Sequence, residues 1–102
     1  MSASSHTVQH QPEQSRFAIL IDTHVARAEY TLAGDVITFT HTIVPKAMQG
    51  QGLGIKLVKA GLRYAREHHL KVIPQCAMFA GFMRKHPDTQ DLLAEEGRAL
   101  VA

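Results

Sequence analysis

The stretch Pro45–Gly54, Pro-Lys-Ala-Met-Gln-Gly-Gln-Gly-Leu-Gly, limits what this chain can fold into more than any other. It holds three of the seven glycines, follows a run of alternating β-type residues and opens into an amphipathic helical pattern. A second β-type run, Val72–Cys76, comes after that helix. Strand, helix and strand in succession make a right-handed crossover, so the two flanking strands are expected to be parallel neighbours. The turn itself offers backbone N–H groups that have no partner inside the helix. Those donors and the helix dipole together favour an anion, typically a phosphate.

Upstream of the loop the pattern is β throughout. Arg16–Asp22 reads as a strand around Phe17-Ala-Ile-Leu-Ile. Val25–Leu32 alternates, with Ala26, Ala28, Tyr30 and Leu32 on one face and Arg27, Glu29 and Thr31 on the other. Ala33-Gly34-Asp35 is a turn, and Val36–Val44 forms a third strand. Strict alternation puts Ile37, Phe39, His41 and Ile43 on one face of it, and Thr38, Thr40 and Thr42 on the other. The short connections make these three an antiparallel meander. Residues 1–15 contain only Met1, Ala3 and Val8 as apolar members, so a disordered N-terminal tail is expected there, with His6 and His10 exposed in it.

Downstream, Ile55–His68 has helical period, burying Leu57, Val58, Gly61, Leu62 and Ala65 and turning Lys56, Lys59, Arg63 and Arg66 outward. The basic stripe reads as a solvated face, except that Lys56 falls in the first turn, near any anion before the helix. Pro74 cannot donate to a ladder, so it marks an edge, a bulge or a place where strands separate. Ala77–Arg84 is a short helix, and Thr89–Leu93 a last helical turn or two. The expected fold is therefore α+β: an antiparallel meander joined to a parallel β-α-β unit with C-terminal helices. One domain spans 16–96, and 97–102 is a C-terminal tail.

Composition excludes several classes. A net charge of +2 with 6% aromatic residues lacks the clustered cations and stacking rings of a nucleic-acid surface. One cysteine, Cys76, rules out an internal disulfide and a cysteine-based zinc site. No apolar run approaches the ~20 residues of a membrane span, and residues 1–14 have no signal-peptide core, so a cytoplasmic protein with no resident metal is expected. An exposed strand edge in so small a sheet is compatible with a monomer or a weak homodimer.

With these elements in place, the chain resembles the GNAT superfamily of acyl-CoA-dependent N-acetyltransferases, and within it the small, roughly hundred-residue GNAT-like subfamily. Gln49-Gly50-Gln51-Gly52-Leu53-Gly54 matches the Gln/Arg-x-x-Gly-x-Gly/Ala pattern. His41-Thr42-Ile43-Val44-Pro45, Leu70-Lys71-Val72-Ile73-Pro74-Gln75-Cys76 and Arg84-Lys85-His86-Pro87 follow in the expected order, over about residues 16–93. The alternatives fit poorly: no Lys-Ser/Thr follows the glycines as in a P-loop, and Gly50, Gly52 and Gly54 miss the Gly-x-Gly-x-x-Gly spacing. The resemblance implies that loop amides, Gln49 to Gly54 with Lys56 nearby, hold the pyrophosphate of acetyl-CoA. It also implies that the pantetheine arm bonds to the backbone of Thr42, Ile43 and Val44 between the parallel strands. The acceptor is then an amine on a protein or small molecule.

Acyl transfer to an amine needs removal of an amine proton, stabilisation of the carbonyl oxygen and protonation of the leaving sulfur. A backbone N–H at the end of the third strand is the expected donor to the carbonyl oxygen. Cys76, between a strand and a helix, lies where the thioester is expected, as general acid, acyl carrier or simply a small buried residue. His41 exchanges protons near neutrality, or is a core histidine beside Ile37 and Phe39. Two departures from the family stand out. Ile43 occupies a position often acidic in the subfamily, and the helix after the last parallel strand carries Phe79 and Phe82 where larger relatives use a tyrosine. The segments that form the amine pocket of those enzymes are also missing, so weak catalysis, or catalysis completed by a partner or a large substrate, is expected. A non-catalytic acyl-CoA-binding module or sensor is the rival expectation.

Overall fold

The computed structural model describes residues 7–102. A mixed sheet of five strands runs in the order β1 (Gln9–Gln11), β2 (Arg16–Ile21), β3 (His24–Ala33), β4 (Val36–Ile43), β5 (Lys71–Pro74). The first four are antiparallel, and β5 lies parallel to β4. The crossover is α1 (Leu53–Glu67), and α2 (Ala77–Lys85) follows β5. The mixed fold, the meander and the parallel crossover are those read from the sequence.

One sheet face carries Phe17, Ile19, Ala26, Ala28, Tyr30, Ile37, Phe39 and Val72, all buried. Both helices cover this face. Leu57, Val58, Leu62 and Ala65 of α1 and Phe79 and Met83 of α2 complete the core. Its centre is tight. The rings of Phe39 and Phe79 stack at 4.0 Å and 10°, and Gly61 of α1 lies against both. A Cβ on Gly61 would sit 2.8 Å from the Phe39 ring and 3.1 Å from that of Phe79, so only glycine lets α1 approach this closely.

Four features depart from the sequence expectation. First, the N-terminal segment from residue 7 is ordered: Gln9–Gln11 pairs with Arg16–Ala18 as an edge strand. His10 anchors it, stacked on Phe17 at 4.3 Å, edge-on to Tyr64 at 4.5 Å and bonded through Nε2 to the Tyr30 hydroxyl at 2.7 Å. Two anchoring aromatics and a hydroxyl outweigh the polar composition of the segment. His6 lies outside the described residues. Second, β4 does not alternate to its end. Tyr30 faces Phe39 while Glu29 faces His41, so Thr40 is an extra residue, a β-bulge whose hydroxyl donates to the Glu29 carbonyl at 3.3 Å. One extra residue exchanges the faces beyond it. Thr42 therefore comes opposite buried Ala28, and His41 leaves the face of Ile37 and Phe39 for the outer one.

Third, the helical turns expected at Thr89–Leu93 are 3-10, begin earlier at Pro87–Leu92, and are followed by a second such segment, Glu95–Leu100. Fourth, the stretch expected as a tail from residue 97 packs. Val101 is buried, and Gly97 lies against Pro74 and the Val72 carbonyl. The Ala94 N–H donates to that carbonyl at 2.9 Å, covering part of the outer edge of β5.

Two measurements test this packing. Gly61→Ala is expected to lose about 1–3 kcal/mol in urea unfolding through overpacking against Phe39; an unchanged midpoint would show that the rings yield. His10 is held below the ordinary histidine value of 6.5 mainly by burial, with His68 pushing the same way and Glu13 opposing. A depressed value means that the neutral ring stabilises the fold above pH 6.5 and that this contribution is lost as pH falls through the folded value. Amide exchange of Gln9–Gln11 should accordingly accelerate as pH drops below about 6.5, relative to a His10→Phe variant.

Candidate functional site

The parallel ladder sets up the site by stopping early. Pairs run from Val36–Lys71 to Phe39–Pro74 and no further. Pro74 has no N–H to continue them. The Cys76 N–H then donates to the Phe39 carbonyl at 2.9 Å, the last bond before the chain turns into α2. Beyond it the edge of β4 from Thr40 to Ile43 has no strand partner, and a gap of ≈ 360 Å³ opens there. Thr40, His41, Thr42, Ile43, Cys76 and Met78 line it.

Cys76 is the cap residue of α2 and is buried to 9% exposure. Its Sγ lies 3.0 Å from the Thr42 hydroxyl, which the bulge has turned to this side. His41 reaches the same gap from the outer face of β4, its side chain 67% exposed and its Nδ1 3.7 Å from Glu29 Oε1. Cys76 and His41 thus border one cavity from opposite faces of a strand. Glu29 was not legible as part of this site, because only the bulge brings it opposite His41.

At the other end of the helix–strand junction, Lys46–Met48 is a 3-10 turn and Met48 is buried beneath the loop. Gly50 and Gly52 have φ of +87° and +70°, and Gly52 is the cap residue of α1 with no side-chain cap bond. Nothing lies within 4 Å of where a Cβ on either would be. The amides of Leu53, Gly54 and Ile55 have no intrahelical acceptor, and these residues border a recess of ≈ 240 Å³ together with Val44, Gln49, Gly50, Gly52 and Met78. The side chains of Gln49 and Gln51 are occupied locally, donating to the carbonyls of Val44 at 3.2 Å and Met48 at 3.4 Å. What the loop offers outward is backbone. Lys56 does not line this recess; it borders a separate hollow with Phe17, Arg63 and Tyr64.

Met78 joins these spaces. It borders the strand gap, the loop recess and a third hollow of ≈ 520 Å³ between α1 and α2, lined by Lys59, Phe82, Lys85 and His86. Its sulfur lies over Gly54, where a Cβ would collide with it at 2.5 Å. The three spaces meet around Met78: the start of α1 borders one, Lys59 and Lys85 with a stacked Phe82–His86 pair (4.1 Å) border another, and Cys76 borders the third. Among the described residues no group of three His, Cys, Asp or Glu could hold a metal, and no helix is long and apolar enough to cross a membrane.

The comparisons with known proteins agree with the fold. The sequence profile of GCN5-related N-acetyl-transferases matches residues 16–92, and the chain belongs to that family. Its structure is similar to the solution structure of a GCN5-like presumed N-acetyltransferase from Staphylococcus aureus, at 30% identity and a TM-score of 0.70. The match covers 89% of this chain and 90% of that one. No significant match was found among curated proteins.

Gly52→Val tests the loop. The substitution is strained at φ +70° and puts a branched side chain where the loop now leaves open space. Affinity for coenzyme A should fall at least about tenfold by calorimetry, a loss of about 1.4 kcal/mol. Parent-like affinity would remove the loop from binding.

Proposed function

We propose that the protein is an N-acetyltransferase that moves an acetyl group from acetyl-CoA to an amine. The observation that carries this reading is the unpaired edge of β4 beside Cys76, with the recess of the Gly50–Gly52 loop on the other side of Met78. The loop amides and the positive end of α1 bind the pyrophosphate. Lys59 and Lys85, with the Phe82–His86 pair, receive the nucleotide end. The backbone of Thr42, Ile43 and Val44 takes the amide-rich arm as a further strand would, which is how an unpaired edge recognises an extended chain.

The chain's own groups then divide the proton work. His41 takes a proton from the acceptor ammonium, leaving a neutral amine to attack the thioester carbon. A β4 backbone N–H supports the charge on the carbonyl oxygen. The new C–N bond replaces the C–S bond. Cys76, bonded to Thr42, gives its proton to the departing sulfur and recovers one from the nitrogen, which must shed a second proton to become an amide.

Cys76→Ala is expected to lower kcat/KM about 100-fold or more in acetyl transfer to an amine panel, with coenzyme A affinity retained. Full activity in that variant would exclude the cysteine from the chemistry. Tight coenzyme A binding by the parent, with no turnover of any amine, would instead establish an acyl-CoA-binding module.

A further inference from the structure

The outer face of the sheet at the bulge holds a group that the sequence pattern does not single out. Glu29 stands directly across from His41 in the β3–β4 register. Its two carboxylate oxygens are divided. Oε2 accepts from Arg27 Nε at 2.7 Å, which orients the carboxylate, while Oε1 lies 3.7 Å from His41 Nδ1. Arg27 and Glu29 are half-buried, whereas the imidazole beyond them projects to the gap bordered by Cys76. The chain Arg27–Glu29–His41 therefore ends with Nδ1 at ion-pairing distance from a carboxylate and with the ring bordering the cavity. A small closing movement would turn that contact into a hydrogen bond and leave Nε2 to take a proton.

We infer that Glu29 is the positioning residue for His41, and that the acceptor amine reaches the gap from the outer face of the sheet. This rests on the acetyltransferase reading of the site. Two structural facts support the direction of approach. The helix-side face of the gap is taken by Cys76, Thr42 and Met78, in line with the loop. The outer side is bordered by the exposed His41 and by Ile43, which is 37% exposed. Glu29 comes from the neighbouring strand and stands across from His41, its carboxylate oriented by Arg27. When the amine proton passes to Nε2, the charge formed on the imidazole ring lies beside a carboxylate already held by Arg27.

The first test uses the free protein and needs no acceptor. Nitrogen-15 spectra of the histidine ring, assigned with a His41→Ala variant, should show His41 mainly as the Nδ1–H tautomer. Glu29→Ala should return it to the Nε2–H form that unconstrained imidazoles prefer. An Nε2–H ring in the parent overturns the proposal, whether or not the protein transfers acetyl groups.

The second test is kinetic. Glu29→Ala should lower kcat roughly tenfold with an amine acceptor, leaving KM for acetyl-CoA and the melting temperature near the parent's. Glu29→Gln keeps an acceptor for Nδ1–H but not the charge, and should recover part of that loss. A Glu29→Ala enzyme with the parent's kcat overturns the assignment while leaving the acetyltransferase reading intact.

Discussion

The end of the β4–β5 ladder at Phe39 and Pro74 is the constraint on which the rest of the site depends. Two parallel strands that stayed paired would leave no backbone to offer and no cavity beside Cys76. Proline stops the ladder because it lacks an N–H, and the Cys76 amide closes it with one last bond to Phe39. From that point β4 continues for four residues with one edge bare. Such an edge normally invites aggregation. Here it is short and lies in a concave gap between a strand and a helix start, so it is accessible to a narrow chain and poorly accessible to another sheet.

The same packing that builds the core aims the loop at this gap. Gly61 lets α1 come down on the Phe39–Phe79 stack, and Gly54 lets the Met78 side chain lie across the first turn of α1. The two helices are therefore close where they border the site. The amide end of α1 and the cap of α2 consequently border spaces that share Met78 as a wall. Close helix packing and the shape of the site are one geometric solution, and the glycines that permit it serve both.

The bulge at Thr40 adds a second division. It places the Thr42 hydroxyl on the thiol side and His41 on the outer side, within one cavity. A regular strand would put His41 among Ile37 and Phe39, where an imidazole would have no free path to solvent or substrate. Separating a thiol from an imidazole across a strand keeps them from acting as a directly bonded pair. Each is left with its own partner, Thr42 for the thiol and Glu29 for the ring.

The sequence by itself determined the meander, the crossover, the glycine loop and the break at Pro74. Each is written in local chemistry: period-2 or period-3.6 burial, glycines at a helix start, a proline without a donor. Only the tertiary structure decided which side chains meet. Alternation predicts faces only while register holds, and a single extra residue at Thr40 exchanged those of His41 and Thr42. The ordering of Gln9–Gln11 was hidden for a related reason. His10 reads as a polar tail residue until Phe17, Tyr30 and Tyr64 converge on it from three different elements. The packing of Val101 and Gly97 against the β5 side of the molecule likewise depends on partners distant in the chain. Local pattern specifies the elements, whereas contacts between residues far apart in sequence specify the site.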